Sequence, residues 1–374
     1  MRRIIIFSAA ILGAQVTMPN PFTNLMIAAK SHALAHGARV PILSPVDSSL
    51  LTSNIKVDMP ALHRLDIKVI PWTTNDPARM KEVLALHPDG LISDRPDLLQ
   101  QVVADVSKTD LGFPVSGFDV EGHRGARGLR PENTLPAFEA GMDNLIDTIE
   151  TDTGVTRDHH SIIWHDQFLN PESCRRLDGK LYDYANARYH RDLTLAEIQQ
   201  TFVCDKLHRA FPDQRNDLSL SPVAVAFAKQ EHLPSPYTPI TVDQLFRFAA
   251  FYSNYYWKGP GSKHPAARDR SSHASWVFFN LETKILPFPD GGNTPPTGNA
   301  EPTTNHTVDP QTFVSTLCGA ITRAHMESRS DVQSFDFRTL QLVEEQFPKI
   351  QTVYLIEDPK ELSSEFVPVS LRQP

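Results

Sequence analysis

Apolar residues in this chain come in short runs that alternate with amphipathic stretches, and turn residues mark most of the boundaries. Residues 24–37 (NLMIAAKSHALAHG) have helical spacing and end at Gly37, a residue type that closes helices in the left-handed conformation. Residues 38–45 then read as a short buried strand, 59–65 as a helix and 67–73 as a further strand. Residues 76–87 are helical in pattern, and 90–96 form a strand that turns at Asp94. Strands alternating with helices predict βα units around a parallel sheet. Thr194, with Glu197 three residues on, predicts a capped helix, and Thr241 opens another within 238–252. The segments 206–239, 258–272 and 287–310 are rich in Pro, Ser, Gly or charge and read as surface loops.

Within this alternation the polar positions of 118–166 stand out. Glu150 and Asp152 lie two apart in an apolar run, so a strand would project both from one face. Two adjacent carboxylates repel unless a cation or a shared proton lies between them, and a hard divalent ion is the natural resolution. Taken alone, the pair reads first as a solvated face of an edge strand. Residues 276–284 (WVFFNLETK) change that, because Asn280, Glu282 and Lys284 again share one face. Two histidines, His123 followed by Arg124-Gly125 and His165 followed by Asp166, sit at turns that end apolar runs. Together these side chains make a phosphate-and-metal constellation rather than a core.

At 374 residues the chain suits one barrel of about 250 residues with insertions, or two ordinary domains. A net charge of −8 argues against a nucleic-acid partner, whose phosphates are met by clustered Lys and Arg. Thirty prolines and a mean hydropathy of −0.30 fit a soluble protein with long loops. Cys174, Cys204 and Cys318 are too few and scattered for a disulfide framework or a zinc site; all three are expected to be buried or free, with one bridge and a leftover thiol as the alternative. Residues 1–17 combine two arginines, an apolar run and a small residue at Ala14, the shape of a secretory signal peptide. The competing reading is an opening β-strand. Export to the periplasm or medium is the expectation, with a cytoplasmic location otherwise; no segment is apolar enough for a membrane span.

HRGARGLRPENTLPAFEAG, ETDTGVTRD, IIWHD, NLETK and VQSFDFRTL, in that order, resemble the glycerophosphodiester phosphodiesterase family. The resemblance implies a TIM (β/α)8 barrel and metal-dependent hydrolysis of glycerophosphodiesters to glycerol phosphate and an alcohol. It implies Glu150, Asp152 and Glu282 as ligands of Ca²⁺ or Mg²⁺, and His123 and His165 as the acid–base pair. Arg124 and Lys284 would meet the phosphate, and Trp72 would pack against the glycerol or alcohol. Gln333 and Phe335 would line the same mouth, and Glu132 would orient Arg124 or His123, or cap a helix. The alternatives are cleavage of a lysophospholipid or sphingophospholipid head group, and a barrel that binds without catalysing.

The order of the units is unusual. Residues 18–103 resemble the family's last barrel units, whereas 117–358 resemble its first five strands. Five strands from His123 onward and three before it make eight, which a circular permutation explains, with 97–116 as the joining linker; the alternatives are a remnant of one barrel fused to another incomplete one, or barrels completed between chains by swapping. One barrel, 18–374, is therefore expected. Nothing in these residues sets the oligomeric state.

Overall fold

The computed structural model describes residues 20–110, 112–285, 305–363 and 367–372. The leader at 1–17 and most of the 287–310 loop lie outside the described residues.

Seven strands form the main parallel sheet: β1 (Ile42–Pro45), β2 (Gly90–Ser93), β3 (Asp119–Gly122), β4 (Thr148–Val155), β8 (Phe278–Thr283), β9 (Ser330–Ser334) and β10 (Gln351–Ile356). A short β5 (Ser161–Ile163) folds back antiparallel on β4, and β6 (Arg175–Arg176) pairs with β7 (Phe202–Val203) in a separate ribbon. An eighth parallel strand closes the ring at 69–72. Ile70 and Trp72 donate their N–H groups to Leu43 and Pro45, and Ile92 donates to the carbonyl of Pro71. Pro71 has no N–H to return to β2, and Pro45 has none for the Ile70 carbonyl, so this strand keeps only isolated parallel bridges to β1. On the other side β10 pairs with β1 from Ile42↔Val353 to Pro45↔Ile356. The result is the (β/α)8 barrel expected above, closed by its own first and last strands.

The helices that cover the barrel begin where the sequence supplies caps. Asn20, Asp76, Thr134 and Asp309 each accept a first-turn N–H, and Pro21, Pro77, Pro96, Pro222 and Pro310 open helices. At a helix start proline loses no hydrogen bond, so many of the thirty prolines serve helices rather than long loops. Thr194 with Glu197 and Thr241 with Gln244 form full capping boxes, and the second helix runs on through the tyrosine-rich segment to Trp257.

Several expectations need correction. Residues 206–239 are not only loop: the helix Pro222–Gln230 buries Val223 and Phe227 completely. The segment 258–272 likewise enters the helix Ala267–Ala274. The expected linker is mostly the helix Pro96–Thr109, which buries Leu99 and Val102 as an ordinary barrel crossover. His165 follows β5, a hairpin strand, and not a barrel strand. Cys174 and Cys204 are joined in a disulfide, and only Cys318 is free. Their 30-residue separation hid the pair. The β6–β7 register, Arg175↔Val203, sets the two cysteines opposite each other. No helix among the described residues is long and apolar enough to cross a membrane.

Candidate active site

The interior of this barrel is polar along one wall. Asn280 donates to Glu121 and to Gln333, each at 3.0 Å, and Gln333 donates to Glu150 at 2.6 Å. This chain of amides carries the β8–β9 wall up to the carboxylates. Glu150 and Asp152 alternate along β4, and the parallel register places Asp152 beside Glu282 of β8. Oxygen atoms of all three lie within 4.8 Å of one another, and each residue is at most 5% exposed.

Burial, and then the neighbouring Asp152, holds the Glu150 carboxyl well above the usual range. Burial pushes Glu282 up to about 7, against the pull of Lys284. Asp152 goes the other way: burial would raise it, but Arg124, His165 and Lys284 override that and keep it ionised. Lys284 Nζ lies 2.9 Å from Glu282 and 3.6 Å from Asp152, while Arg124 Nε lies 3.2 Å from Asp152. Two cations facing three mutually repelling carboxylates leave an all-oxygen donor set whose charge a hard divalent ion would neutralise. The residues fit such an ion.

His123 follows β3 in a turn that only glycine can complete. Arg124 has φ +50° and Gly125 φ +84°, and a Cβ on Gly125 would sit 2.7 Å from the Ala137 carbonyl carbon. The turn also points the Arg124 N–H at Glu150, 2.9 Å away. His123 Nδ1 lies 2.5 Å from Asp94, and its Nε2 is 3.9 Å from Glu150. His165 Nδ1 lies 2.8 Å from Asp166, which also accepts from Asn170. Burial lowers the pKa of both imidazoles, and nearby Arg124 adds to it at each. Each ring is thus neutral near pH 7, with Nδ1 held by a carboxylate and Nε2 free to exchange a proton.

Arg124 donates to Glu132 at 2.9 Å, and its buried Nε makes no hydrogen bond among the described residues. The expected role of Glu132 as a partner of Arg124 therefore matches the geometry, and the helix cap there is Thr134. Trp72 is fixed by a 3.0 Å bond from Nε1 to the Ser44 carbonyl and meets Phe335 edge-on at 5.7 Å.

Trp72, His123, Arg124, Glu150, Asp152, His165, Glu282 and Lys284 all line one cavity of about 380 Å³, as do Gln333 and Phe335. The cavity is also lined by the charged residues Asp94, Arg127 and Glu357, to which the sequence alone assigns no chemistry. Asp94 was recognisable only as the turn that ends β2. Its place beside His123 follows from β2 and β3 being neighbours in the sheet.

A sequence model of the glycerophosphoryl diester phosphodiesterase family matches residues 123–252. The uncharacterized protein YqiK of Bacillus subtilis is 48% identical over 90 residues, covering 23% of this chain and 37% of that protein. Glycerophosphodiester phosphodiesterase GDPD2 of Arabidopsis thaliana is 36% identical over 98 residues, 22% of this chain and 26% of the plant protein. The chain thus spans little more than a third of these relatives' length at most. A solved Silicibacter pomeroyi chain described as a glycerophosphoryl diester phosphodiesterase shares 22% identity at a TM-score of 0.46, over 68% of both chains. The matched segment begins at His123 itself and runs through both histidines and the carboxylates of β4, and over this segment the chain is similar to the glycerophosphoryl diester phosphodiesterase family.

Proposed function

We propose that this protein hydrolyses a glycerophosphodiester to glycerol phosphate and an alcohol. The observation that carries the reading is a pair of carboxylate-anchored imidazoles flanking three buried carboxylates in one cavity. Glu150, Asp152 and Glu282 would hold a divalent ion, Ca²⁺ or Mg²⁺, which supplies charge neutralisation and Lewis acidity at a phosphate oxygen. Arg124, whose guanidinium is held by Glu132 and Asp152, and Lys284 orient the phosphate. One histidine, neutral, takes the proton of the attacking oxygen at Nε2, and the other, first protonated at Nε2 from solvent, delivers that proton to the departing alkoxide. The attacking oxygen is that of water or of the substrate's own neighbouring hydroxyl, in which case a cyclic phosphate forms first. Trp72 and Phe335 offer an apolar wall to the glycerol or alcohol.

The same reading treats the chain as one barrel, 18–374, with the family's last units moved ahead of its first by circular permutation. The parallel closure of β10 on β1 is what such a rearrangement requires. Export is part of the proposal too, and the Cys174–Cys204 bridge supports it, since disulfides persist in oxidising compartments.

Phosphorus NMR of the protein incubated with glycerophosphocholine or with lysophosphatidylcholine, Ca²⁺ and Mg²⁺ present, tests the substrate class. Glycerol phosphate should accumulate from the first at least about tenfold faster than any phosphomonoester from the second. The reverse preference would shift the assignment to lysophospholipids, and no phosphomonoester from either would leave only a binding protein.

A further inference from the structure

A second group of metal-ligating side chains lies away from the cavity, where the first helix (Pro21–Ala35) packs against the helix Phe337–Gln346. We propose that His32, His36 and Glu345 bind a zinc-type dication that fastens these two helices together. One ligand atom from each of the three lies within 4.8 Å of the others. His32 and His36 are four residues apart, so they share one face at the helix end. Their ring centroids are 4.5 Å apart.

The tautomers are set by what each ring touches. His36 Nδ1 lies 2.9 Å from the His32 carbonyl, which can only accept, so the proton is on Nδ1 and Nε2 keeps its lone pair. His32 Nδ1 lies 2.6 Å from Glu344. That carboxylate is fully buried and held by Thr352 at 2.8 Å and Tyr354 at 3.0 Å, so it fixes the His32 ring with Nε2 outward. A carboxylate that anchors the far nitrogen of a metal-binding histidine is the usual support for such a ligand. His32 Nε2 and Glu345 Oε1 are 3.4 Å apart. Two donors at zinc bond lengths and a tetrahedral angle lie roughly 3.4 Å apart.

Two further facts favour a cation here. His36 is the C-cap, so the ion would sit at the negative end of the helix dipole. Two imidazoles and one carboxylate select zinc and its neighbours over Ca²⁺ or Mg²⁺, which separates this site from the all-oxygen cluster in the cavity. An ion pair between His32 and the two glutamates gives the Nε2 of the exposed His36 no part. The first helix leads into β1 and Phe337–Gln346 leads into β10, the two strands that close the barrel. A bound ion would therefore brace that seam.

Co²⁺ titration of the whole chain, with Mg²⁺ in excess to occupy the oxygen cluster, tests the site. One equivalent should give the intense visible band of tetrahedral Co²⁺, displaced by Zn²⁺. Zn²⁺ at about a hundred times its Kd should raise Tm by about 5 °C. His36→Ala and Glu345→Gln change exposed side chains, so both should melt like wild type without zinc and lose both the band and the gain. Absence of the band in wild type, or a band or zinc gain that survives in both variants, would overturn the proposal.

Discussion

His123→Asn lowers turnover by about 10³-fold while leaving the melting temperature nearly unchanged. The asparagine amide nitrogen occupies the place of imidazole Nδ1 and keeps the donor that Asp94 needs. What it removes is Nε2, the only atom of the ring free to move a proton in the cavity. Asp94 is 4% exposed, and its pKa falls to about 2 because His123 and Arg127 outweigh its burial. His123→Ala should therefore be as inactive but also less stable, since it strands part of that buried charge. Stopped assays of glycerol phosphate release beside thermal melts of the two variants check this. A role confined to positioning would leave His123→Asn largely active.

Glu150→Gln should abolish turnover, by about 10³-fold or more, and yet raise the melting temperature of the metal-free protein at pH 8. The ordinary carboxylate titrates near 4, whereas burial and Asp152 hold Glu150 well above that, and burial pushes Glu282 to about 7. A carboxyl whose folded pKa is raised contributes stability that is full below the unfolded pKa and lost as pH rises through the folded one. Metal-free wild type should thus lose stability between pH 5 and pH 8, and Glu150→Gln should lose less. With Ca²⁺ or Mg²⁺ added, wild type regains stability and the variant does not. Calorimetry at the two pH values, with and without the ion, reads both effects; a variant less stable than metal-free wild type at pH 8 contradicts them.

Much of this site was legible because strand geometry is simple. A period of two fixes Glu150 with Asp152 and Asn280 with Glu282, and the parallel register does the rest. The eight strands could be counted from their apolar runs, including 69–72, although Pro45 and Pro71 keep it from forming a regular ladder. What escaped depended on contacts between distant segments. Asp94 reaches His123 only because β2 and β3 are neighbours, and Cys174 meets Cys204 only through the β6–β7 ribbon. The helices Pro222–Gln230 and Ala267–Ala274 were hidden for a different reason. Each buries a narrow apolar face within a stretch whose composition is that of a loop.

In the proposed mechanism three carboxylates from two neighbouring strands act through one divalent ion. Release of glycerol phosphate by the protein dialysed against EDTA, then supplied with Ca²⁺ or Mg²⁺, tests it most directly. Turnover should fall at least about 100-fold on chelation and return when either ion is restored. Undiminished turnover in EDTA would contradict the account.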